Sequence, residues 1–176
     1  MEQKVLSNQM PIAIKDSTID ITSEKSTKEL AKEFTKYLKG GEFVFLYGEM
    51  GVGKTTFVKY FINEYQKINN LTQTEITSPT FSLLNEYQVK DIRIKHYDLF
   101  RINRKEDINN LDIFEKDNKL ITLIEWPQLI ADKQDIKFIT LTFNYLNQLN
   151  DRTVDIKVQI KTYFDGKFSK IAKNKR

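Results

Sequence analysis

The chain has 176 residues, with 28 Lys+Arg against 24 Asp+Glu, one His, no Cys and a formal charge of +4. That length suits one domain with a real core, and 40% hydrophobic with 12% aromatic content excludes disorder throughout. The absence of Cys excludes disulfide frameworks, Cys-ligated zinc, iron–sulfur clusters and thiol nucleophiles.

In chain order, residues 1–17 show no sustained periodicity and are expected to be a flexible lead-in. The opening MEQKVLSNQM lacks the apolar centre of a signal peptide, and the longest apolar run, 43–47, is far too short to span a membrane. A cytoplasmic protein is expected. TIDIT, 18–22, alternates as a short strand. Ser26 and Glu29 form a capping-box pattern ahead of Leu30, Ala31, Phe34 and Leu38, which predicts a helix over about 26–39 stopped by Gly40 and Gly41. EFVFLY, 42–47, has the length and character of a buried strand. Val58, Phe61, Ile62 and Tyr65 then predict an amphipathic helix over about 54–67. Strands are expected at 81–89 and 92–97 with a short turn between them, and short helical turns and loop over 101–118. KLITLIE, 119–125, is a second buried strand, closed by Trp126-Pro127. The alternation in 138–145 and 153–163 predicts a late pair of strands, antiparallel by pattern. The domain is therefore expected to occupy 18–163. Residues 164–176 form a basic tail, whose five basic residues and one acid hold all of the excess charge. A neutral body, with no basic recognition helix, argues against direct sequence-specific reading of nucleic acid.

Between the strand at 42–47 and the helix at 54–67 stands Gly48-Glu49-Met50-Gly51-Val52-Gly53-Lys54-Thr55, which satisfies G-x-x-x-x-G-K-[ST] in the required strand-to-helix context. Glycines let the chain turn its amides inward around phosphates at the positive end of the following helix. The nucleotide contacts are expected from Gly48, Glu49, Met50, Gly51, Val52, Gly53, Lys54, Thr55 and Thr56. Lys54 would reach the β- and γ-phosphates of ATP, and Thr55 would join the shell of Mg2+. The expected fold is α/β: a P-loop NTPase-like three-layer domain with a mixed central β-sheet flanked by helices.

A magnesium nucleotide also needs a carboxylate at the tip of a neighbouring strand. Two fit. Glu125 ends the apolar LITLI, and Asp98 ends the more polar RIKHYD; either can serve as the metal-site acid, and Asp98 can alternatively position water. The corner Ser78-Pro79-Thr80-Phe81 can place a hydroxyl near a γ-phosphate, as switch segments do, or be an ordinary turn into a strand. His96 lies two residues before Asp98 on the same strand face and is expected to be a packing residue. Trp126 could be core or could cover the nucleotide. No N-K-x-D guanine motif occurs.

GEMGVGKTTF (48–57), SPTFSLLNEY (78–87), HYDLFRI (96–102) and IEWPQLI (124–130), in that order and spacing, resemble the bacterial TsaE (YjeE) family over about residues 18–160. The resemblance implies a small ATPase in the synthesis of threonylcarbamoyladenosine beside the tRNA anticodon. It would associate with the TsaD–TsaB heterodimer and meet tRNA through that complex, with ATP binding and hydrolysis resetting the complex between rounds. Carried over by position, Lys54 is the phosphate-loop lysine, Thr55 a magnesium ligand and Glu125 a magnesium-site acid. Asp98 is the other acid important to hydrolysis, and Thr80 belongs to a switch-like segment. Two departures stand out: Gln128 replaces an acid frequent in the family, and Asp112 follows Leu111 where Gly is common, so a differently shaped loop is expected there.

Two other classes fit the phosphate loop. A small-molecule kinase would need a lid with catalytic arginines, for which Arg101 and Arg104 are the clustered candidates. A non-catalytic module would use ATP only to order a docking surface. With no strong base evident, slow hydrolysis gated by a partner is expected.

Overall fold

The run 43–47 has no polar position to offer water, so it must lie between two covered faces, and it becomes an inner strand of a seven-stranded sheet. The computed structural model describes residues 17–131, 138–146 and 151–158. The strands are β1 (Ser17–Asp20), β2 (Phe43–Tyr47), β3 (Leu84–Val89), β4 (Ile92–Asp98), β5 (Leu120–Glu125), β6 (Phe138–Leu146) and β7 (Asp151–Val158), and the helices α1 (Glu24–Tyr37), α2 (Lys54–Ile68) and α3 (Lys105–Ile108). Their spatial order is β1-β7-β6-β2-β5-β4-β3. β6, β2, β5 and β4 run parallel, while β3, β7 and β1 join antiparallel. The sheet is mixed, as expected.

Alternation along β2 sends Val44 and Leu46 to one face and Phe43 and Phe45 to the other. The first face receives α1 and α2 through Leu30, Ala31, Phe34, Phe57, Val58, Phe61 and Ile62. Phe57 and Phe61 are fully buried, each worth about 2 kcal/mol in apolar surface removed from water. The second face is covered more thinly, by Leu99, Ile108, Ile113 and Ile130 from the connection between β4 and β5 and a 3-10 turn, Pro127–Ile130. α3 is a single turn within that connection.

Several boundaries differ from expectation. α1 starts earlier, because Ser23 rather than Ser26 is the cap: Ser23 Oγ accepts the Ser26 amide at 3.0 Å and Ser26 lies inside the first turn. β3 begins at Leu84 rather than at 81, because Leu83 adopts φ 65° and its amide donates to Pro79 O at 2.6 Å, closing a turn over the corner. The lead-in loses Ser17 to β1, which pairs with β7. The rest of the lead-in, the basic tail and the last residues of the expected strand 153–163 lie outside the described residues. Asp112 takes φ 46°, the left-handed conformation that glycine favours. The backbone there is glycine-like even though the residue is Asp.

Candidate functional site

β2 delivers the chain into the phosphate loop at Gly48, where φ is 136° and a Cβ would lie 2.6 Å from Phe143 O and 2.9 Å from Val52 Cγ1. No side chain fits there. Gly53, with φ 118°, occupies the cap position of α2; a Cβ on it would meet nothing within 4 Å, and no side chain caps the first-turn amides. Those uncapped amides stand at the positive end of a fifteen-residue helix, an arrangement suited to phosphate. The loop is pinned at two more points: Val52 is buried, and Tyr145 Oη on β6 donates to Met50 O at 3.3 Å. Glu49, Met50 and Thr56 are exposed around it.

Lys54 opens α2 and folds back over the loop, where its Nζ donates to Gly48 O at 2.9 Å and to Glu49 O at 2.8 Å. Burial lowers its pKa below the ordinary lysine value, while the carboxylates of Glu125 and Asp98 pull it back up. The ammonium also lies 4.1 Å from the ring centroid of Trp126. Trp126 reaches this position through a left-handed backbone (φ 57°, ψ 53°) that costs a non-glycine residue about 1–2 kcal/mol. Its ring leans on Phe100, with centroids 4.9 Å apart. So Trp126 is not plain core; it walls one side of the lysine.

The two candidate acids stand side by side. Asp98 and Glu125 are Cα partners at the carboxyl ends of the parallel strands β4 and β5, and Glu125 is likewise the partner of Leu46 on β2. Both are buried, 3% and 2% exposed. Thr55 Oγ1, in the first turn of α2, donates to Glu125 at 2.8 Å from Oε1 and 3.0 Å from Oε2. His96 Nε2 lies 2.9 Å from Glu125 Oε1. Asp98 faces a different set: Thr80 Oγ1 donates to its Oδ2 at 2.6 Å, Ser78 Oγ to the same oxygen at 3.0 Å, and the Phe100 amide to Oδ1 at 3.0 Å.

No cluster of three or more His, Cys, Asp or Glu side chains among the described residues could hold a metal unaided. A hydroxyl and two strand-tip acids fit Mg2+ in its usual nucleotide mode instead, in which one or two carboxylates serve beside water and phosphate. The donor set therefore suits a metal that arrives with a nucleotide.

The structure gathers Lys54, Thr55, Glu125, Asp98 and Thr80 at one end of the sheet. It does not offer a free pair of lid arginines: Arg104 is paired with Asp107 (Nη2 to Oδ1 3.1 Å), and the Arg101 guanidinium lies 4.2 Å from the Phe81 ring centroid. Sequence reasoning missed the contact of His96 with Glu125 and the role of Tyr145 as a strut. The spacing of His96 from Asp98 put both on one strand face but could not supply the partner across β5; for the second there was no signal beyond the alternation of β6.

The family model for threonylcarbamoyl adenosine biosynthesis protein TsaE matches residues 21–154. A Rickettsia typhi protein named tRNA threonylcarbamoyladenosine biosynthesis protein TsaE is 37% identical over 137 residues, 78% of this chain and 92% of that one. An Aquifex aeolicus protein of the same name is 36% identical over 108 residues, 61% of this chain and 74% of its own. Among solved structures, Bacillus subtilis YdiB superposes with a TM-score of 0.65 at 21% identity, covering 90% of this chain and 93% of that one. At that identity the likeness speaks for the fold alone.

Proposed function

The chain belongs to the TsaE family of threonylcarbamoyl adenosine biosynthesis proteins, and from that premise we propose that it is the magnesium-dependent ATPase subunit of the tRNA threonylcarbamoyladenosine machinery. It works in the cytoplasm with a TsaD–TsaB complex, meets tRNA through that complex, and resets the complex between rounds by binding and hydrolysing ATP. No helix among the described residues is long and apolar enough to cross a membrane.

The observation that carries the proposal is the Thr55–Glu125 pair, a helix-N-terminal hydroxyl bonded to a strand-tip carboxylate directly beside an uncapped phosphate loop. The loop amides and Lys54 bind the triphosphate and fix its reacting end. Thr55 and Glu125 would hold Mg2+, which when bound supplies positive charge against the developing negative charge on the phosphates, and Asp98 would position a water beside it. Water displaces ADP from the γ-phosphorus: a new P–O bond forms, the P–O bond to ADP breaks, and the water's protons leave on phosphate and solvent. Trp126 shields the lysine from water on one face. Both oxygens of Asp98 and both of Glu125 already face a protein donor, so both acids are engaged in holding the site together. Hydrolysis by the isolated chain is accordingly slow, and the complex accelerates or gates it.

The test is reconstitution with TsaD, TsaB, tRNA and the threonylcarbamoyl donor, following ATP consumption and modified adenosine together. Lys54→Ala should reduce ATP turnover at least about a hundredfold, the scale lost with one preorganised charge-stabilising group, and stop repeated rounds of modification. Unchanged modification with ATP consumption abolished would replace an ATPase by a nucleotide-gated docking module. Transfer of phosphate to a metabolite in place of water would make it a kinase.

A further inference from the structure

His96 is the only histidine of the chain and is fully buried. It sits on β4, two residues before Asp98 and diagonal to Glu125: its Cα partner on β5 is Leu123, two positions before Glu125. Residues two apart share a strand face, so the ring points the same way as the carboxylate and reaches it at 2.9 Å through Nε2. Its other nitrogen, Nδ1, is buried without a hydrogen-bond partner. A proton on Nδ1 would therefore be an unpaired buried donor, whereas a proton on Nε2 is satisfied by Glu125. The ring is a fixed donor aimed at one oxygen.

Glu125 thus has two donors from two elements, Thr55 from α2 and His96 from β4, and both engage Oε1. Only Thr55 also reaches Oε2, at 3.0 Å. When Thr55 turns its hydroxyl to a metal, His96 becomes the donor that still fixes the orientation of the carboxylate. We propose that His96 is a positioning residue for the magnesium site: its Nε2–H holds Glu125 Oε1 so that the rest of the carboxylate stays presented toward Thr55 and the phosphate loop. It touches neither nucleotide nor metal, and it acts entirely through Glu125. Donors behind a metal-binding carboxylate set its affinity for the ion by about 10–100-fold.

This inference rests on the magnesium-nucleotide reading of the site, and the experiment separates the two. ADP binding to the full chain is measured by calorimetry with Mg2+ titrated from zero, alongside metal-free binding in chelator. In the wild type Mg2+ should tighten binding; if it does not, the nucleotide–metal reading and this one both fall. His96→Leu should leave metal-free ADP affinity within about twofold and weaken the apparent Mg2+ affinity about tenfold or more. His96→Gln, whose amide nitrogen can occupy the place of Nε2, should restore most of the Mg2+ affinity, while the shorter His96→Asn should not. With Glu125→Gln already in place, adding His96→Leu should change Mg2+ affinity no further. Should His96→Leu fail to fold, the Gln against Asn comparison decides alone. Equal Mg2+ affinity in wild type and His96→Leu, or in the Gln and Asn variants, overturns the proposal, as does a loss that is the same with and without the metal.

Discussion

The two buried acids occupy equivalent places, at the tips of neighbouring parallel strands and in direct register, yet they are held by different kinds of structure. Glu125 is gripped by Thr55 and His96, residues of a helix and an inner strand whose positions are set by the core. Asp98 is gripped by Ser78 and Thr80, which sit in the non-regular connection between α2 and β3, and by the amide two residues on. A carboxylate anchored to regular elements keeps its direction whatever the surface does. One anchored to a surface segment changes its freedom whenever that segment moves. We expect the first to serve metal binding and the second to serve a step that the partner complex can gate.

The largest effect that would break this contrast concerns the acids themselves. Glu125→Gln should remove most of the Mg2+ enhancement of nucleotide binding and reduce turnover at least about a hundredfold. Asp98→Asn should reduce kcat about tenfold or more while leaving Mg·ATP affinity within about threefold, the split expected when a group acts chiefly in the transition state. Matching losses in Kd and kcat for both variants, measured by calorimetry and steady-state kinetics, would mean that the two acids are not divided in this way.

A smaller effect sharpens the Asp98 side. Thr80→Val deletes the 2.6 Å hydrogen bond to Oδ2 while keeping the shape of the side chain. With Ser78 still present, stability should fall by only about 1 kcal/mol in denaturant unfolding. Proteolysis or hydrogen exchange should show faster opening confined to the corner around Pro79. An effect spread over β2 and β5 would show that the corner is part of the rigid frame and not a separable latch.

The smallest lies in the second irregular connection, between β4 and β5. Asp112 stands at φ 46°, where a non-glycine residue carries about 1–2 kcal/mol of strain and glycine costs about 0.4–1 kcal/mol through the unfolded chain. Asp112→Gly should therefore stabilise the protein modestly, by roughly 0.5–1 kcal/mol, with nucleotide binding unchanged. A loss of stability would mean that the Asp112 side chain does something the geometry does not show.

Much of this was legible in the amino-acid sequence for a physical reason: phosphate capture imposes local constraints. Gly48, Gly53, Lys54 and Thr55 lie within one turn-and-helix segment, so spacing alone announces them. The strands ending in Glu125 and Asp98 were also expected, the first from an apolar run and the second from a more polar one, but the pattern left open which acid serves a metal. What was not legible depends on which strands become neighbours. The contact of His96 with Glu125 exists only because β4 and β5 run parallel in this register, and the strut from Tyr145 to Met50 only because β6 lies beside β2. The cap of α1 was misplaced by one turn because Ser23 and Ser26 offer the same chemistry three residues apart. The left-handed turn at Asp112 was hidden because a non-glycine residue gives no sign of it in the sequence.

The central claim is that a hydroxyl and a strand-tip acid beside the phosphate loop form a magnesium-nucleotide site, and Mg2+-dependent ATP binding in Glu125→Gln tests it most directly. Calorimetric titration of ATP into wild type and variant, with Mg2+ and in chelator, should show the two proteins alike without metal and only the wild type tightened by it. Equal tightening by Mg2+ in both proteins would contradict the account.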